Sequence, residues 1–242
     1  LPRVKLVNQP NQQLYSTQLR LLINLKSTFI MLRILITVCL VACLMSCSSD
    51  DAQTPETPTS NFYALTVGNS WVYKNYKYNQ NSQAYEDTGV VDAISIMSSE
   101  AIDGNTYYKF KTLTTGNEAQ ITYCNPNGEH FEYLREDQGN LIFSDGTVKF
   151  TNNDYTVRTL DENDWGNIVE QLTANTTTLN VEAGTFNCIN SERYVMLPDG
   201  EQAPGLDRFY YADGFGLIYD TSSFVSNDIP VVIRRLDSYN IQ

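Results

Sequence analysis

Asp103-Gly104, followed by Thr106-Tyr107-Tyr108-Lys109-Phe110-Lys111-Thr112, is the stretch that decides the fold class. Successive side chains of a strand point to opposite faces, so Tyr108 and Phe110 share one face and Lys109 and Lys111 the other. Asp103-Gly104 is a tight-hairpin signal, because a primed two-residue turn needs positive φ. The same signal returns at Asn127-Gly128, Asp145-Gly146 and Asp199-Gly200. Around these turns lie short runs rich in aromatic and β-branched residues. They are Trp71 to Tyr78, Val90 to Met97, Phe131 to Leu134, Thr147 to Phe150, Tyr155 to Leu160, Phe186 to Met196, Arg208 to Tyr211 and Ile229 to Leu236. Serial hairpins predict a mainly β fold: an antiparallel meander sheet, curled into an open half-barrel or closed as a barrel, with few or no helices. One short helix is a candidate over Asp164 to Leu172, with Asn163 or Asp164 as its N-cap.

Upstream of this domain the text changes character. Met31-Leu32-Arg33 is a short positive segment, and Ile34 to Leu44 is an apolar run interrupted only by Thr37. A positive start, a short apolar core and small residues at a cleavage point make a secretory signal. The run is too short to span a bilayer, which takes about 20 residues. Residues 1–30 carry no acidic residue and no apolar period. They read as translated upstream sequence, or else as an unusually long positive region.

Leu44-Met45-Ser46-Cys47 resembles the lipobox of bacterial lipoproteins. The resemblance implies that Cys47 becomes the first residue of the mature chain and takes a diacylglycerol on its thiol. Each buried methylene contributes about 0.8 kcal/mol, and two or more chains hold a protein stably on a bilayer. Residues 48–60 are polar, acidic and Pro-containing, so they form a tether rather than a packed element. Ser49, Asp50 and Asp51 resemble the surface-export signal of Bacteroidota lipoproteins. The expected organisation is therefore 1–30 upstream segment, 31–46 signal peptide, 47–60 lipidated Cys and tether, and 61–242 a single β-rich domain. The membrane is the expected partner, reached through the lipid at Cys47. The expected address is the outer membrane, on its periplasmic or surface face.

Charge narrows the remaining partners. All 28 acidic residues follow Cys47, as do 11 of the 16 basic ones, which leaves a formal charge of −17 on the mature chain. Such a surface repels a phosphate backbone, which argues against nucleic acid. A glycan, a lipid or an envelope protein remain as partners.

Three further pieces resemble an uncharacterised Bacteroidota-type family of cell-envelope lipoproteins. Tyr63 to Tyr73 contains Gly68-Asn69-Ser70-Trp71-Val72-Tyr73 and looks like the family's opening, with Ala64 where the pattern has proline. Ala183-Gly184-Thr185-Phe186 and Tyr211-Ala212-Asp213-Gly214-Phe215-Gly216-Leu217 look like two later signatures. The family implies no activity. Physically, Gly184, Gly214 and Gly216 suit bulges or positive-φ turns, and Trp71, Tyr73, Phe186, Tyr211 and Phe215 suit core anchoring.

Catalytic chemistry is sparse. His130 is the single histidine, and it falls just after a turn signal. A Ser-His-Asp or Cys-His device would have to use it. With one histidine and no Cys-x-x-Cys in the domain, a His- or Cys-rich zinc site is excluded. Asp161, Asn163 and Gly166 fall at calcium-loop positions one, three and six, but Trp165 and Leu172 stand where oxygen ligands belong. No cofactor fingerprint and no phosphate-cradling glycine loop are present. Cys124 and Cys188 could pair as a disulfide or remain separate buried thiols. The expected function is a non-enzymatic, membrane-anchored domain that binds a ligand or partner through its sheet. Two alternatives are a carboxylate-based hydrolase of surface glycans and a lipid or lipoprotein carrier with an open half-barrel.

Overall fold

The computed structural model describes residues 61–242. The segments expected as upstream sequence, signal peptide and tether, with Cys47, lie outside the described residues.

Twelve strands follow one another: β1 Ser70–Asn79, β2 Ala84–Ile102, β3 Asn105–Thr115, β4 Gly128–Asp137, β5 Asn140–Phe143, β6 Val148–Thr151, β7 Arg158–Asn163, β8 Gly166–Val181, β9 Gly184–Met196, β10 Gln202–Ala212, β11 Gly216–Ser222 and β12 Val232–Asn240. They form one antiparallel sheet in the order β6-β5-β4-β3-β2-β1-β12-β11-β10-β9-β8-β7. Every neighbour is the next strand in sequence except β1 and β12, which pair from Ser70↔Asn240 to Lys77↔Val232. The sheet is an open, curled meander, and no ladder joins its edge strands β6 and β7 among the described residues.

Bulges supply the curl, because an extra residue on one strand bends it and increases local twist. Register shifts occur between Val72 and Tyr73, Ile96 and Ser98, and Leu172 and Thr176. The rolling brings Phe150 of β6 onto Tyr211 of β10, strands remote in the sheet order, with ring centroids 4.0 Å apart. Tyr63 meets both rings edge-on. Across the open seam, the Arg158 guanidinium donates to the Val148 carbonyl oxygen at 3.3 Å. Beside that seam Glu170, 1% exposed, accepts from Arg158 at 2.7 Å and from Arg193 at 2.8 Å. A carboxylate so deeply buried has to be paired in this way.

The segment ahead of β1 closes one end of the trough. Phe62, Tyr63, Ala64 and Leu65 are all buried. Ala64 adopts φ +52°, which a proline ring cannot reach. Asn69 is fully buried and works as a clasp: its Nδ2 donates to the Ala64 carbonyl at 2.8 Å, and its Oδ1 accepts from the Gln242 amide at 2.9 Å.

Several expectations need correction. No helix forms over Asp164 to Leu172; the chain turns at Asp164-Trp165 and continues as β8. There Glu170 and Leu172 point inward at period two. Asn127-Gly128 is not a hairpin turn, because residues 116–127 make a long connection that ends there. Tyr155 to Val157 precede β7 rather than belonging to it. Of the two states left open for Cys124 and Cys188, the structure has the free thiols, the first in that connection and the second on β9.

Candidate functional site

The rolled sheet leaves a cavity of about 330 Å³ on its concave side. Strand alternation decides what lines it. On β3, Phe110 and Thr112 share the inward face. On β4 their partners Glu132 and His130 do the same, in the registers Phe110↔Glu132 and Thr112↔His130. Trp71 and Tyr73 come from β1 and Tyr211 from β10. Apolar walls with a few convergent polar groups are the usual form of a small-molecule site, and such sites run from about 300 Å³ upward.

The aromatic residues differ in how their polar atoms are used. Tyr63 Oη donates to the Gly139 carbonyl at 2.6 Å, Trp71 Nε1 to Phe215 O at 2.8 Å and Tyr73 Oη to Leu217 O at 2.8 Å. These three offer the cavity only their carbon surfaces. Tyr211 is 5% exposed, yet its hydroxyl has no hydrogen-bond partner among the described residues. Burial, with smaller contributions from Tyr73 and Glu132, pushes its phenol well above the ordinary value, so it is a neutral donor at any physiological pH. Thr112, 9% exposed, also has a hydroxyl with no partner among the described residues. Neither oxygen is sealed from the cavity: the buried side-chain atoms that lack a partner are Ser191 Oγ and Asp207 Oδ1.

The ionic groups around the cavity are matched. Lys149 donates to both Glu132 oxygens, at 2.7 and 2.5 Å. Arg234 forms a fork with Asp220, at 3.1 and 2.5 Å, and stands 3.6 Å from Asp92. Burial opposes the Arg234 charge, but the Asp220 and Asp92 carboxylates outweigh it and raise its pKa above the usual arginine value. Asp92 also accepts from Thr114 Oγ1 at 2.5 Å and Asn75 Nδ2 at 3.1 Å. This polar cluster lines a second hollow of about 140 Å³, which shares Asn125 and Arg234 with the first.

The connection between β3 and β4 lies over the polar end. Asn117 organises it: its side chain donates to Asn125 O at 2.8 Å and accepts from the Ile121 amide at 2.7 Å. At its far side Tyr123 donates to Ser223 O at 3.1 Å and its ring meets Phe224 at 5.2 Å. This strap thus reaches from β3 and β4 to the β11–β12 loop.

His130 sits on the cavity wall beside Thr112, with Nε2 2.8 Å from the Pro126 carbonyl oxygen. Among the described residues neither a nucleophile nor a carboxylate is hydrogen-bonded to it, so they do not assemble a nucleophile–histidine–acid array around it. Burial raises both Cys thiols to about 11, which leaves them protonated at neutral pH. Asp161 and Asn163 end β7, with Asn163 Nδ2 donating to Asp161 at 3.1 Å, and the calcium-like run Asp161 to Leu172 folds as a hairpin. Among the described residues, no group of three or more His, Cys, Asp or Glu is placed to hold a metal ion.

The family-like pieces converge on one end of the trough. Trp71 and Tyr73 of the first bond to Phe215 and Leu217 of the third. Phe186 of the second packs edge-on against Phe215, with centroids 5.1 Å apart. Gly184, Gly214 and Gly216 all have positive φ, at 138°, 76° and 78°.

No family profile and no curated protein sequence matches the chain. A presumed exported protein with a YmcC-like fold from Bacteroides fragilis is similar in outline, at TM-score 0.46 and 10% identity over 74% of this chain and 98% of that one. A presumed lipoprotein from Parabacteroides distasonis is similar at TM-score 0.40 and 15% identity, over 74% of this chain and 98% of that one.

Proposed function

We propose that this protein is a non-enzymatic envelope lipoprotein of the Bacteroidota type, which binds a small ligand inside its curled sheet. In this reading residues 1–46 are removed and Cys47 carries the lipid. Residues 47–60 are the tether, 61–242 are the binding domain, and the address is the outer membrane. The observation that carries ligand binding is the cavity of about 330 Å³, walled by Trp71, Tyr73, Phe110 and Tyr211. The matched charges support binding over hydrolysis. A carboxylate pair for glycoside cleavage needs one protonated acid and one carboxylate available as base or nucleophile. Here Glu132 is tied to Lys149, and Asp92 and Asp220 share Arg234.

Co-purification mass spectrometry and a glycan array on the secreted Cys47→Ser protein test the reading. A retained small molecule, or an array signal that disappears when Leu217→Trp fills the cavity, is the expected result. Protein that carries nothing and binds nothing on the array would count against it.

A further inference from the structure

The contrast among the polar atoms in the cavity identifies what it takes. A tyrosine ring this deeply buried usually bonds its hydroxyl to the protein, unless the oxygen faces a space where something else can meet it. Tyr63, Trp71 and Tyr73 obey that rule through backbone carbonyls. Tyr211 and Thr112 do not, although each is at least nine-tenths buried and lines the cavity. Both therefore hold a donor and acceptor in reserve for something inside. The Glu132–Lys149 pair and His130 stand on the same walls and add further hydrogen-bonding atoms.

An acyl chain would leave the Tyr211 and Thr112 hydroxyls without a partner. A compact anion would meet Lys149 and Arg234 already neutralised by carboxylates. A neutral ring bearing several hydroxyls fits both halves of the surface. Its C–H groups pack on Trp71 and Phe110, whose planes lie 16° apart, and its hydroxyls bond to Tyr211 and Thr112. The size agrees, since about 330 Å³ lies at the small end of ligand sites. Resting on the cavity-binding reading above, we propose that the ligand is a single neutral saccharide unit, free or at the end of a glycan, with Tyr211 and Thr112 determining specificity.

Trp71 and Trp165 are the two tryptophans, so Trp165→Phe leaves the cavity residue as the reporter. In a full-length Cys47→Ser, Trp165→Phe background, fluorescence is titrated with methyl glycosides of glucose, galactose, mannose and N-acetylglucosamine, and separately with dodecanoate. The expected result is a saturable change with at least one glycoside. Thr112→Val and Tyr211→Phe should each raise its Kd roughly tenfold, the effect of losing one hydrogen bond to a buried group, with the melting temperature showing that the variants fold. A response to dodecanoate alone overturns the saccharide assignment and leaves the cavity as a binding site, and a glycoside response that both variants keep overturns the specificity roles of Tyr211 and Thr112. No response to any probe overturns the assignment and the cavity reading together.

Discussion

Trp71 and Phe215, 144 residues apart in sequence, are joined by an indole N–H that donates to a turn carbonyl at 2.8 Å. The bond fastens the first strand of the domain to the β10–β11 turn across the concave side. Tyr73 repeats it one inward step along, on Leu217. Two conspicuous motifs are therefore one structural joint. Trp71→Ala should cost about 3–5 kcal/mol through lost burial and the orphaned carbonyl, and Tyr73→Phe about 1–2 kcal/mol. Urea denaturation of the two variants measures the difference.

Arg234 holds the buried Asp92 carboxylate and the partly buried Asp220 carboxylate at once. Arg234→Met leaves Asp92 and Asp220 facing each other without a counter-charge. Breaking a buried pair in this way typically costs about 3–5 kcal/mol. Thermal and urea melts of the variant check the size of the loss.

Asp207 gives a pH dependence of its own. Burial, its largest influence, pushes the carboxyl above the ordinary value of 3.8, and its Oδ1 has no partner. A carboxyl raised in the folded state contributes stability that is fully present below the unfolded pKa. That contribution is lost as pH rises through the folded value. Stability should therefore gain less between pH 4 and pH 7 in the wild type than in Asp207→Asn. Urea midpoints across that range test the sign; parallel curves would show that Asp207 does not titrate differently on folding.

Gly116 starts the strap at φ +83°, and a Cβ there would collide with the Gly89 carbonyl oxygen. Gly116→Ala should cost about 2–3 kcal/mol from strain and displacement of the strap. Gly146, at φ +89° with open space around it, is the control. Its alanine variant should lose about 1 kcal/mol. Equal losses in chemical denaturation would remove the strap contact from the account.

Cys47→Ser tests the anchor. The variant should no longer incorporate an alkyne fatty acid and should leave the membrane fraction. Labelling that persists would show that another residue carries the lipid.

Much of the sheet was readable because its strands alternate. Thr106 to Thr112 and Trp71 to Tyr78 fall inside β3 and β1, and Asp103-Gly104 is the turn between β2 and β3. β8 was missed because its run Thr173 to Thr178 has no apolar alternation, and its pairing to β9 supplies the order instead. β11 was hidden inside a glycine-rich motif. Asn127-Gly128 misled because a dipeptide signals positive φ without saying which strands it connects. At the site, Trp71 and Tyr211 were legible as anchors, but the roles of Thr112 and Tyr211 were not. Thr112 lies on the face of Phe110, so a polar residue among inward positions was visible. Its lack of a partner emerges only when β3, β4 and β10 are rolled together.

The strand order also divides the chain. Strands β1 to β6 form one unbroken run of neighbours and β7 to β12 another, with the β1–β12 ladder as the weld between them. The crossing from β6 to β7 belongs to neither ladder. A protease cut within 152–157 would sever no strand pairing, and the two pieces would carry complementary unpaired edges at β1 and β12. Expressed separately, they should find each other and rebuild the trough, whose walls come from both: Trp71, Phe110 and Thr112 from one piece, Tyr211 from the other. The cavity would then report reassembly, since neither fragment alone encloses it.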